Sequence, residues 1–166
     1  MEKLLWLKNS IGLLARRVAR AFWYTVSFLP DEEKLWRSVY LPRDQLKKTG
    51  EVKRAFFRDK TGLSCDIARF STAERSRRGH ADPLAWPAES GLLEFSVASV
   101  RKVGSDVCHV PVRNPPTNYA HCEFSVWLTT DQAEDLVELA EMCIPHSFPG
   151  YGSGKSRQLR EKKVDG

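Results

Sequence analysis

The 166-residue chain lacks most of the features that would assign it to a specialised class. No apolar run is long enough to span a bilayer, which takes about 20 nearly uncharged residues. The opening segment comes nearest, and Lys8, Arg16, Arg17 and Arg20 interrupt it. The same charges exclude a secretory signal, whose cations precede an unbroken apolar centre. Cys65, Cys108, Cys122 and Cys143 are too few for a disulfide framework and include no Cys-x-x-Cys pair. They read as reduced thiols of a cytoplasmic protein. There is no internal repeat and no decisive catalytic signature. Hydrophobic content of 42% and charged content of 28% exclude wholesale disorder, leaving one ordinary domain with extensions.

What the chain does have begins at its N-terminus. Leu4, Leu7, Ile11, Leu14, Val18 and Phe22 recur every three or four residues, with Lys3, Ser10, Arg16, Arg17 and Arg20 opposite. This spacing predicts a cationic amphipathic helix over residues 1–30. Its apolar stripe needs a surface, and Trp6, Leu7, Leu14, Val18 and Phe22 are the expected anchors on another protein chain. The protein's own domain and a membrane surface are the alternatives.

Residues 31–148 read as a globular domain of class α+β, with a small mixed or antiparallel sheet and short helices. Strands are expected over 35–40, 52–57, 63–70, 92–97, 107–112 and, most strongly, 119–128. Ser71-Thr72-Ala73-Glu74 has capping-box spacing and predicts a short basic helix ending at Gly79. A second helix is expected over 98–103, closed by Gly104. A third starts near Thr130 and Asp131 and buries Leu136, Val137, Leu139, Ala140 and Cys143. Residues 149–166 read as a disordered basic tail.

Charge is unevenly distributed. Residues 43–80 hold eleven basic and five acidic side chains, whereas 81–148 hold three and ten. A basic front and tail thus enclose an acidic back, which favours steering towards anionic partners. Within the basic part, Lys53, Arg54 and Arg58 flank Phe56 and Phe57, with Lys47, Lys48 and Lys60 nearby and Arg75, Arg77 and Arg78 beyond. Together with Lys155, Arg157 and Arg160 of the tail, these are the expected nucleic-acid contacts, cations meeting phosphates and aromatics stacking on bases. The opposing possibility is that both phenylalanines belong to the core and the cations form a solvated face.

Three other chemistries are weaker. Residues 150–156, Gly-Tyr-Gly-Ser-Gly-Lys-Ser, resemble a phosphate loop, but Pro149 stands where its first glycine belongs. Cys108-His109, His121-Cys122 and Cys143-x-x-His146 are metal-capable, yet neighbours on a strand point to opposite faces, so no metal or other cofactor is expected. The same residues offer Cys122 and His109 as a thiol–imidazole couple. Arg37, Ser64 and Glu123 follow in an order that resembles the arginine–serine–glutamate set of one class of ADP-ribosyltransferases. That resemblance implies an NAD-consuming enzyme in which Arg37 holds a phosphate and Glu123 stabilises the oxocarbenium ribose. An Arg–Glu pair at a sheet edge is the plain alternative.

Leu35-Trp36-Arg37, Ala55-Phe56, Leu63-Ser64-Cys65-Asp66, and Asn114-Pro115 followed by Ala120-His121-Cys122-Glu123 resemble motifs of a group of small bacterial proteins of unknown function. Those proteins tend to read Leu-Ser-Val-Asp and Asn-Pro-Ala-His. Here Cys65 replaces the valine, and residues 116–119 separate the two halves of the last motif. The resemblance implies a bacterial cytoplasmic setting and draws attention to Arg37, Asp66 and His121. Taken together, the residues favour a non-enzymatic accessory module docked through its N-terminal helix, with a basic face near nucleic acid.

Overall fold

In the computed structural model the described residues are 28–58, 63–79, 87–113 and 117–152. The N-terminal helix expected over 1–30, including the anchors Trp6, Leu7, Leu14, Val18 and Phe22, lies outside them except for its last three residues. So do Lys60, Lys155, Arg157 and Arg160.

Six strands form one antiparallel sheet. They are β1 (Lys34–Val39), β2 (Ser64–Ile67), β3 (Gly91–Ser96), β4 (Val107–His109), β5 (His121–Phe124) and β6 (Glu141–Ile144). Their order across the sheet is β4-β5-β2-β1-β3-β6. Among the described residues four short α-helices accompany them: α1 (Pro42–Gln45), α2 (Ala73–Arg78), α3 (Val97–Lys102) and α4 (Thr130–Leu139). The expected α+β class is what the chain adopts.

Alternation along the strands sorts the sheet into two faces. Leu35, Val39, Cys65, Ile67, Leu93, Phe95 and Cys122 point to the main core, where Val97 and Val100 of α3 and Ala133 and Leu136 of α4 meet them. Phe57 closes this core edge-on to Phe95, with ring centroids 5.4 Å apart. The opposite face carries Trp36, Ser38, Asp66 and Glu94. Helix α2 covers part of it, anchored where Ser38 Oγ donates to the Arg77 carbonyl at 2.8 Å.

Caps set the helix limits. Thr129 and Gln132 exchange hydrogen bonds in a capping box that starts α4. Thr72 accepts from the Arg75 amide at the start of α2, and Gly79 with φ of 93° ends it.

Several expectations differ. Only Val52 of 52–57 makes a strand-like bridge, to Leu46; Arg54–Phe57 is a 3-10 turn. That turn lets the adjacent Phe56 and Phe57 both face the core, which a strand forbids. The stretch 119–128 pairs over His121–Phe124 alone, and Val126 is exposed. Cys143 is not on the last helix but on β6, which pairs with β3. Residues 149–152, expected in the tail, pack on the turn before Val52, where the Gly152 amide donates to the Lys48 carbonyl at 3.0 Å.

Candidate functional site

A basic surface among the described residues is built around a small hairpin. Leu46 and Val52, both buried, bridge its base. The Lys47 amide donates to Glu51 and the Gly50 amide to Lys47, at 2.7 and 2.9 Å. With its root fixed in the core, the hairpin holds Lys47 and Lys48 out in solvent.

Two adjoining open depressions flank this hairpin. One is lined by Lys47, Lys53 and Arg54 with Glu134 and Val137 of α4. The other is lined by Arg43, Lys47, Lys48 and Lys53 with Leu46 and Tyr151. Lys47 and Lys53 line both, so the two adjoin as one shallow groove with five cations, with Glu134 on its wall and Glu51 paired to Lys47. Lys53 is positioned by donating from Nζ to the Arg43 carbonyl at 2.6 Å. Lys48 Nζ lies 4.4 Å from the centre of the Tyr151 ring. The existing ion pairs, Lys47–Glu51 at 3.0 Å and Arg54–Glu134 at 3.5 Å, have side chains more than half exposed. Solvent-exposed pairs of this kind are worth little and exchange readily for another anion. Arg43 and Lys48 have no carboxylate partner among the described residues.

Of the residues the sequence singled out for nucleic acid, the structure brings Lys53 and Arg54 into this groove, with Arg58 exposed at the end of the same 3-10 turn. Phe56 and Phe57 are core residues at 3% and 0% exposure, so neither is available to stack on a base. Arg75, Arg77 and Arg78 lie on α2, across the sheet from the groove. Arg77 ties its helix to the loop before β3, donating to the carbonyls of Ala88 and Ser90, and it pairs with Glu74. That hydrogen bond from Arg77 holds the Glu74 carboxyl below the usual carboxylate range. Sequence reasoning missed Tyr151. Its only signal was a lone aromatic among glycines.

The enzyme alternative has a different geometry. Ser64 and Glu123 are directly opposed partners of β2 and β5. Arg37 donates to the Ser64 carbonyl but stands on the core face, its guanidinium 4.9 Å from the centre of the Phe56 ring. The guanidinium and the two other side chains therefore lie on opposite faces of the sheet. Beside Glu123, His121 Nε2 is 3.2 Å from Glu123 Oε1, and Asp66, opposite His121, accepts from Asn118 at 2.7 Å.

The sulfur and imidazole groups are dispersed. His109 Nε2 is 2.6 Å from the Tyr119 carbonyl, His146 Nε2 is 3.1 Å from that of Gly50, and Cys143 Sγ donates to Leu92. Cys122 has Cys65 and His109 as register partners on either side, and its Sγ lies 3.2 Å from that of Cys65 while the His109 imidazole is engaged with Tyr119. Among the described residues, no three His, Cys, Asp or Glu side chains converge as a metal site, and no helix is long and apolar enough to cross a membrane. Comparison with known proteins yields no matching family model, no matching curated protein and no matching solved structure.

Proposed function

We propose that the chain is a non-catalytic interaction module that holds the phosphate backbone of a nucleic acid in the groove around Lys47, Lys48 and Lys53. The observation that carries this reading is the charge of the groove: Arg43, Lys47, Lys48, Lys53 and Arg54 against Glu134 on its wall and Glu51 paired to Lys47. An open, cation-lined channel suits a polyanion that tracks along a surface, and it recognises charge spacing rather than base identity. Tyr151 packs against the core beside the channel and carries the Lys48 ammonium over its ring, which holds that cation at the groove. The N-terminal segment, with Trp6, Leu7, Leu14, Val18 and Phe22, is the proposed second contact, to another protein chain of the same assembly.

The test is binding of labelled single-stranded RNA and duplex DNA to the full chain as salt is raised. Four to five phosphates neutralised give a log–log slope near −4, so affinity for duplex DNA falls about 250-fold between about 50 and 200 mM salt. Absence of binding at the lower salt would remove the nucleic-acid reading and leave the groove without a polyanionic role.

A further inference from the structure

The buried pair Cys65 and Cys122 has no part in the groove and stands in the middle of the sheet. The two residues are register partners of β2 and β5. Two residues away on either side, the Ile67 amide donates to Ala120 at 2.8 Å and the Phe124 amide to Leu63 at 3.0 Å. Antiparallel bonds alternate, so Cys65 and Cys122 occupy a hydrogen-bonded position, where Cα atoms stand about 5.5 Å apart. That spacing falls inside the window that a disulfide spans. The side chains already aim at each other: Sγ to Sγ is 3.2 Å, with both residues in the core at 5% and 0% exposure.

We propose that Cys65 and Cys122 are a disulfide-forming pair that locks β2 to β5 when the protein meets an oxidant of the peroxide class. Cys65, the less buried sulfur, attacks the peroxide and becomes a sulfenic acid, releasing one water. The Cys122 thiol then displaces the sulfenic hydroxyl as a second water, and the S–S bond forms. Two thiols and one hydrogen peroxide thus give one disulfide and two waters. Burial pushes the Cys122 thiol well up, so this chemistry waits on local opening of the strand pair. It is accordingly slower than modification of the exposed Cys108 and Cys143. Once closed, the bond ties residues 57 positions apart and is shielded from soluble thiols.

The test uses the full chain carrying Cys108→Ser and Cys143→Ser, so that only the pair remains. After hours with hydrogen peroxide, unfolding and alkylation should find no free thiol, a monomer lighter by about 2 Da than the reduced chain, and full recovery by reductant. Thermal unfolding of the oxidised form should rise by about 5 to 10 °C. In parallel, the unmutated chain, cleaved after basic and after aromatic residues, should yield a peptide joining Cys65 to Cys122. Two alkylated thiols after exposure, a sulfinic acid on one cysteine, a link between chains, or a peptide joining either residue to Cys108 or Cys143 would each overturn the proposal.

Discussion

Single residues decide whether the groove keeps its shape. Gly152 sits so close to the hairpin that a Cβ built on it would lie 2.5 Å from the Thr49 carbonyl oxygen. Backbone cannot yield as a flexible side chain does, so Gly152→Ala must push the last segment away. The hydrogen bond from Gly152 to Lys48 is lost, and Tyr151 moves off the Lys48 ammonium. The expected cost is about 1 to 2 kcal/mol, read as a lower urea midpoint at unchanged slope. An unchanged midpoint would mean that the close approach does not constrain the chain. At this scale the sequence was readable in charge and silent on contact. The cations of 47–54 stand out in composition, whereas Tyr151 is found only through the fold that returns it to Lys48. Phe56 and Phe57 show the reverse problem, because aromatics among lysines read equally well as a stacking surface or as core. Their T-shaped contact, centroids 5.0 Å apart, and full burial settle them as core.

Among the elements, the centre of the sheet and its helix caps follow from local pattern, and its edge does not. β1 and α3 appear within a residue of their expected limits and α4 starts where expected, since alternation, serine and threonine caps and Gly104 mark them. β6 was hidden because Leu136, Leu139, Ala140 and Cys143 keep helical spacing, with no glycine or proline between them to signal the break. Pairing with β3 overrides that periodicity. Neighbouring strands are also joined by charge. Lys34 Nζ and Trp36 Nε1 of β1 donate to Glu94 of β3 at 2.7 and 2.9 Å. Burial pushes the Glu94 carboxyl up, but these two hydrogen bonds outweigh it and hold the group below the usual carboxylate range. A carboxyl depressed in the folded state contributes stability that is complete above the unfolded pKa, about 4.3, and lost as pH falls through the folded value. Comparing urea unfolding of the unmutated chain and Glu94→Gln should therefore show a constant gap at pH 6 to 7 that shrinks below about pH 4. A gap independent of pH would show that the ionised carboxylate contributes nothing.

Across the whole molecule, the sheet separates two cationic surfaces that are continuous in sequence. The groove lies on the side of the 3-10 turn and α4, while α2 lies beyond Ser38 on the other face. A linear reading joins Lys53 to Arg78 because only the return of the chain through β2 divides them. Nucleic-acid binding is thus proposed for one face alone, and charge reversal can test that directly. Binding of single-stranded RNA and duplex DNA should be compared for the unmutated chain, the Arg43→Glu/Lys48→Glu variant and Arg75→Glu. The groove variant should lose at least about 10-fold in affinity, with the salt slope flatter by about 2, while Arg75→Glu stays within about 2-fold. If Arg75→Glu weakens binding as much as the groove variant, or if reversing the groove changes nothing, the groove is not the site.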